Sequence, residues 1–226
     1  MTKAYFLTGT DTDAGKTTMA AGLLYLAQKQ QLSTLGMKPI ASGSEVNTQG
    51  LRNSDALALM AQSSIKRPYQ EVNPYAFVPA IAPHIAAKEA GIELKVSDLY
   101  KAAQIILHQQ ADFTLIEGAG GWRVPINNQA FLSDLAIALN LPVILVVGVK
   151  LGCINHALLT AQAISSDGLK LAGWVANVID PNCARLKEVL ATLKKQISAP
   201  CLGQVPYLEE PSAEKVASYL SINTLL

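Results

Sequence analysis

The strongest constraint on what this chain can fold into lies at residues 9–27, GTDTDAGKTTMAAGLLYLA. An apolar run, KAYFLT, precedes it, and a helical pattern follows Gly15-Lys16-Thr17. A strand that turns through glycines into a helix at Gly-Lys-Thr is the setting of a phosphate-binding loop. There the backbone amides of Asp13, Ala14, Gly15, Lys16, Thr17 and Thr18 are expected to cradle phosphate oxygens, aided by the positive end of the helix. Lys16 is expected to reach the β- and γ-phosphates, and the Thr17 hydroxyl to ligate Mg²⁺. One detail departs from the usual form. Five residues rather than four separate Gly9 from the Gly-Lys pair, so the loop bulges and belongs to a variant class.

The remaining pattern extends this start into a sheet. Apolar runs predict strands at residues 4–8, 34–38, 113–117, 143–148, 171–177 and 201–205. Helical patterns predict helices at 16–31, 54–62, 96–110, 132–140, 154–166, 182–197 and 213–220. Several strands are apolar throughout, without a period of two, which signals burial on both faces. The expected class is therefore α/β: a P-loop NTPase-like parallel sheet with helices on both faces, one domain over residues 1–226. Residues 41–83, rich in Ser, Asn, Gly and Pro, read as long loops around a short helix. In such sheets ligands lie beyond the carboxyl ends of the strands.

Two charged residues stand where that rule puts chemistry. Glu117 ends the apolar run FTLIE and precedes GAGG, the position of a magnesium ligand in phosphate-loop enzymes. Lys38 ends the strand of LGMKPIASGS, and an ammonium at the end of a buried strand needs an anionic partner. Lys16 and Lys38 converging on one anionic centre would suit phosphoryl transfer, where charge stabilisation does most of the work. Asp55, in LRNSDALALM, reads more simply on spacing alone: Ser54 caps a helix and Asp55 complements its dipole.

Composition excludes other classes. Half of the 226 residues are hydrophobic and only 15% are charged, which excludes a disordered chain. A formal net charge of +1 leaves no electrostatic footprint for nucleic acid, and Lys194-Lys195 reads as a solvated helix face. The most apolar stretch, LPVILVVGV, is nine residues, too short to span a membrane. Cys153, Cys183 and Cys201 are odd in number and lack CxxC spacing, the pattern of a reduced, cytoplasmic protein. His84, His108 and His156 are too dispersed for a metal cluster, and no Ser-His-Asp or Cys-His pattern stands out.

Several motifs, in order, carry a family resemblance over essentially the whole length. They are GTDTDAGKT (9–17), KPIASGS (38–44), LRNSDALAL (51–59), VNPYAF (72–77), APHIAA (82–87), EGAGGW (117–122), PVILVVGVKLGCINHALLTAQ (142–162) and LAGWVAN (171–177). Together they make the chain resemble the dethiobiotin synthetases, and the five-residue spacing of the phosphate loop is that family's own form. The resemblance implies closure of a cyclic urea on 7,8-diaminononanoate with CO₂, ATP and Mg²⁺, by a homodimer. It implies that residues 13–18 hold the triphosphate, and that Thr17, Asp55 and Glu117 surround Mg²⁺, which overrides the simpler reading of Asp55. Lys16 and Lys38 would hold the γ-phosphate and a carbamate, and Thr12 and Ser42 would contact the diamine or its carbamate. Gly118, Ala119, Gly120 and Gly121 would line the site with backbone groups. Gly152, Cys153, Ile154 and Asn155 of a neighbouring subunit would meet the substrate carboxylate. Asn177 would read the adenine edge, with Pro206, Tyr207 and Leu208 beside the base. Partitioning ATPases of the same loop class typically carry a lysine at the start of the loop, where this chain has Gly9-Thr10-Asp11.

Overall fold

The structure, a computed structural model, describes residues 2–226. In chain order it contains β1 (Lys3–Gly9), α1 (Lys16–Lys29), β2 (Thr34–Met37), β3 (Ile40–Ala41), β4 (Glu45–Asn47), β5 (Gly50–Arg52), α2 (Ser54–Ala61), α3 (Tyr69–Val72), β6 (Tyr75–Ala76) and α4 (Pro83–Glu89). The chain continues through α5 (Val96–Leu107), β7 (Phe113–Glu117), α6 (Leu132–Leu139), β8 (Val143–Val149), α7 (Cys153–Ser166), β9 (Leu171–Val178), α8 (Leu186–Gln196), β10 (Cys201–Val205) and α9 (Ala213–Ala217). Six of the strands form one parallel sheet in the order β10-β9-β8-β1-β7-β2. The α/β expectation holds, and all six expected strands are in this sheet.

The apolar strands have cores on both faces because alternate side chains point to opposite sides. Tyr5 and Leu7 of β1, with Ile144 and Val146 of β8, pack on Met19, Leu23 and Leu24 of α1 and Val216 of α9. Phe6, Met37 and Ile116 turn the other way, onto Leu99 of α5 and Leu135 of α6. Leu145, Val147 and Trp174 continue that second face onto α7 and Leu193 of α8. Register then sets the working edge. Leu7 pairs with Glu117, and Met37 with Ile116, so Lys38 leaves β2 beside the end of β7. The phosphate loop, Lys38, Glu117, Asn177 and residues 206–208 all follow or end parallel strands at the same carboxyl edge.

Several helices are shorter than their patterns. Gln31, Gln110 and Arg185 adopt left-handed φ angles of 62°, 52° and 54°. They stop the helices expected over 16–31 and 96–110, and they delay the one expected from 182 until Leu186. Helix α9 ends at Ala217 rather than 220, where the chain turns to bridge Leu220 with Gly203. Within 41–83 the structure adds what composition hid. β3 pairs parallel with β6, β4 pairs antiparallel with β5, and α3 packs near α2. No helix among the described residues is long and apolar enough to cross a membrane.

Helix α1 meets α9 at Gly22. A Cβ there would lie 2.6 Å from Val216 Cγ1 and 3.2 Å from Leu220 Cδ1. Alanine improves helix propensity by about 1 kcal/mol, whereas overpacking a closed core costs about 1–3 kcal/mol. Val216 is fully buried and branched at Cβ, so it has no free rotamer to retreat into. Gly22→Ala is therefore expected to lower the urea midpoint at unchanged m-value; a raised midpoint would contradict this packing.

Candidate active site

The loop between β1 and α1 is built for close approach. Gly15 takes φ +85°, and a Cβ on it would lie 2.2 Å from Asn177 Nδ2. Gly148 faces Ala14 so closely that a Cβ would be 3.0 Å from Ala14 Cα. Ala14 is buried, and its carbonyl accepts from Asn177 Nδ2 at 3.0 Å. Helix α1 starts at Gly15 without a side-chain cap, so its first N–H groups are left for a ligand. Lys16 Nζ donates to Asp11 O at 2.9 Å, which folds the lysine back over its own loop.

Beside the loop lies a compact ionic cluster. Lys38 Nζ lies 2.5 Å from Glu117 Oε1 and 2.9 Å from Asp55 Oδ2, and it donates to Gly118 O at 3.1 Å. Thr17 Oγ1 donates to Glu117 Oε1 at 2.7 Å. The Glu117 side chain is 0% exposed and that of Lys38 4%, whereas that of Asp55 is 40% exposed. Burial disfavours the Lys38 charge, but Glu117 and Asp55 outweigh it and hold its ammonium above the ordinary lysine range. Burial likewise works against the Asp55 carboxylate, and Lys38 outweighs it, leaving the carboxyl below its usual value. For Lys16 the compensation falls short. Burial and then the nearby Lys38 charge pull it down to about 8, against the opposing influence of Glu117, Asp55 and Asp13.

Lys16, Thr17, Lys38 and Asp55 open onto a cavity of about 810 Å³ lined also by Thr12, Asp13, Gly15, Thr18, Ser42, Ala119, Gly120 and Gly121, whereas Glu117 and Gly118 lie behind its wall. That is the size of a small-molecule site. Its far wall is Ile81, Ala82, Pro83, Val124 and Pro125, with Arg123 beside them. Ala82 and Pro83 belong to the APHIAA motif, whereas Ile81, Val124 and Pro125 carry no charge pattern or spacing that singles them out. A second cavity of about 210 Å³ adjoins the loop at Asp13, Gly15 and Thr18, and is lined also by Asn177, Tyr207 and Leu208. Pro206 lines neither cavity, and Gly152, Cys153, Ile154 and Asn155 stand outside both within their own chain.

Two local readings need correction. Asn53, not Ser54, caps α2: its Oδ1 accepts from Asp55 N at 3.0 Å and Ala56 N at 3.3 Å. Asp55 is more than a complement to the helix dipole, because its side chain reaches Lys38. The residues also meet the requirements of Mg²⁺. Glu117 Oε2 is buried with no hydrogen-bond partner among the described residues, and Thr17, Asp55 and Glu117 supply hard oxygen donors. No group of three or more His, Cys, Asp or Glu side chains forms a cage among the described residues. Mg²⁺ needs none, being held by one or two carboxylates together with substrate phosphates.

Comparison with known proteins places the chain in a family. Residues 3–215 match a family model described as an AAA domain. An ATP-dependent dethiobiotin synthetase BioD of Pseudomonas aeruginosa (strain UCBPP-PA14) is 60% identical over 222 residues, covering 98% of this chain and 97% of the relative. That of Cellvibrio japonicus is 56% identical over 99% and 98% of the two chains. ATP-dependent dethiobiotin synthetase BioD 1 of Salmonella typhi is 49% identical over 100% and 99%.

The chain belongs to the dethiobiotin synthetase family.

Solved structures add the fold. A ParA family ATPase from Chlorobium tepidum TLS superposes with a TM-score of 0.57 at 12% identity, covering 98% of this chain and 92% of the other. The MinC:MinD cell division protein complex of Aquifex aeolicus gives 0.58 at 16%, covering 96% and 85%. At such identity the likeness concerns the P-loop sheet alone. Within the dethiobiotin synthetase family the ionic cluster has a testable energetic role. Removing one partner of a buried pair costs about 3–5 kcal/mol, because the other charge is left buried alone. Lys38→Met, which strands Glu117, is expected to lose about that much in urea unfolding without nucleotide or Mg²⁺. A loss below about 1 kcal/mol would mean that the pair is screened as a surface bridge is.

Proposed function

We propose that this protein is an ATP-dependent dethiobiotin synthetase that closes a cyclic urea on 7,8-diaminononanoate with CO₂, releasing dethiobiotin, ADP and phosphate. The observation that carries the reading is the convergence of Lys16, Lys38 and Asp55 on one cavity beside an uncapped phosphate-loop helix, with buried Glu117 paired to Lys38 behind them. The identity to the curated synthetases supports it.

The chemistry follows from these groups. One amine of the diamine must be neutral to attack CO₂, and two nearby ammonium groups disfavour a third, lowering its pKa. The amine nitrogen bonds to the carbon of CO₂, an oxygen takes the displaced electron pair, and a proton leaves. Lys16 and Lys38 stabilise the resulting carbamate. A carbamate oxygen then attacks the γ-phosphorus as the bond to ADP breaks, giving a mixed carbamic–phosphoric anhydride. The second amine attacks the carbonyl, loses a proton as phosphate leaves, and the five-membered ring closes. Both amines are on one molecule, so the effective molarity is high and no protein nucleophile is needed. Thr17, Asp55 and Glu117 would hold Mg²⁺, which supplies charge neutralisation at the phosphates.

In this reading Asp13–Thr18 and the backbone of 118–120 hold the phosphates, and Gly121, Thr12 and Ser42 face the diamine. Asn177, Pro206, Tyr207 and Leu208 surround the adenine. Asn177 already donates one N–H of its amide to Ala14 O, which leaves Oδ1 and the second N–H for the base. Gly152–Asn155 are assigned to a partner subunit's site in a homodimer, and the whole chain to one cytoplasmic domain.

The test is phosphate release with ATP, Mg²⁺ and bicarbonate, with and without the diamine. Release is expected to require the diamine, with dethiobiotin formed in step; diamine-independent hydrolysis would move the function to a switch ATPase. Lys38→Gln should cut kcat by about 100-fold or more, as loss of a transition-state charge contact does, and near-normal turnover would overturn its role. Asn177→Ala should raise KM for ATP more than KM for the diamine, and equal effects would count against a base contact.

A further inference from the structure

Three buried residues outside the reacting groups form one hydrogen-bonded chain, linked through the side chains of Tyr69 and Asn73 and the main-chain N–H of Asn53. Tyr69 OH accepts from Asn53 N at 2.7 Å and donates to Asn73 Oδ1 at 2.8 Å. Asn73 Nδ2 donates to Lys38 O at 2.7 Å and to Tyr75 O at 3.3 Å. Lys38 N donates to Val72 O at 2.9 Å, beside Asn73. At the other end, Asn53 Oδ1 caps α2 through Asp55 N and Ala56 N, and Asn53 Nδ2 donates to Ser42 O at 3.2 Å. One relay therefore touches the backbone of Lys38, Ser42 and Asp55, three residues from separate segments.

Helix capping alone does not account for this relay. A cap needs only an acceptor, and Ser or Asp supplies one as well as Asn. The amide donor of Asn53, the phenol of Tyr69 and both ends of Asn73 are additional, and buried polar groups are costly unless all are paired. Here every polar side-chain atom of the relay has a partner, and a satisfied buried network fixes geometry. The surroundings give it something to fix. Lys38 and Ser42 flank a two-residue strand, and Asp55 opens a helix that follows a small hairpin, so little regular structure holds the three together. Arg52 lies 4.1 Å over the Tyr69 ring, closing the relay from outside.

We propose that Asn53, Tyr69 and Asn73 are positioning residues for the reaction, setting the distance from Lys38 to Asp55 and Ser42. This rests on the roles given to those three groups under the proposed function.

The experiment is steady-state phosphate release by Tyr69→Phe and Asn73→Ala as functions of ATP, Mg²⁺ and diamine, alongside thermal unfolding. Tyr69→Phe keeps the ring beneath Arg52 and loses only the hydroxyl. A displacement of about 1 Å among reacting groups can cost about 100-fold in rate. The expected result is a fall in kcat of about 10- to 100-fold and a higher Mg²⁺ concentration for half-maximal rate. KM for ATP at saturating Mg²⁺ should stay within about two-fold, because the phosphate loop and adenine cavity do not touch the relay. A lowered Tm with unchanged kcat and Mg²⁺ requirement would make the relay purely structural and overturn the proposal. Should neither variant purify folded, Asn53→Asp keeps the α2 cap and loses the donor to Ser42 O. It is expected to raise KM for the diamine at near-normal Tm, and unchanged kinetics would overturn the proposal. Lys38→Gln and Asp55→Asn are the controls. If they turn over normally, the reading of the site fails; if they are crippled while Tyr69→Phe is not, only the relay's role fails.

Discussion

The contact of Lys38 with Glu117 is the interaction on which the rest of the working edge depends. Glu117 ends a strand buried on both faces and has no exposed surface. A carboxylate there is untenable without a counter-charge. Lys38 supplies it from the strand next door, and the pairing of Met37 with Ile116 is what brings the two residues level. The same ammonium draws Asp55 inward from α2, and Thr17 joins from the first turn of α1. Elements far apart in the chain are thereby tied at one point, and that point faces the largest cavity described.

The parallel topology explains why so few groups suffice. Because all six strands run the same way, each loop that follows a strand emerges on the same side. The phosphate loop after β1, Lys38 after β2, Glu117 at the end of β7 and Asn177 near the end of β9 arrive there without long excursions. Glycines let the loops approach. Gly15 lies under Asn177, and Gly148 lies against Ala14. The consequence is a site dominated by charge and backbone dipoles. A reaction whose hard steps are carbamate stabilisation and phosphoryl transfer needs that arrangement.

The sequence made some of this legible and hid the rest for physical reasons. The strand at 143–149 is apolar throughout because both faces are covered, and it reads from composition alone. Glu117 and Lys38 were legible because a charge at the end of an apolar run demands a partner. Asp55 was not. Its spacing describes a helix first turn equally well, and only the fold brings Lys38 to it. The cap on α2 shifted from Ser54 to Asn53 because neighbouring residues are both good caps and only backbone geometry chooses between them. The helix ends at Gln31 and Gln110, and the delayed start after Arg185, involve left-handed residues that do not advertise that conformation as glycine or asparagine would. The segment 41–83 holds strands of two and three residues, too short for any period to register. Its Asn53–Tyr69–Asn73 relay is a tertiary feature, visible only when three distant polar residues are found buried together.

The central claim is that a carbamate oxygen, not water, receives the γ-phosphoryl group in this cavity. The direct measurement is turnover with ATP, Mg²⁺, 7,8-diaminononanoate and CO₂ labelled with ¹⁸O, with mass spectrometry of the released phosphate. An anhydride formed through a carbamate oxygen leaves that oxygen on phosphorus when the ring closes. The account predicts one labelled oxygen in phosphate for each dethiobiotin formed. Phosphate carrying oxygen from the solvent alone would mean that water took the phosphoryl group, and would contradict it.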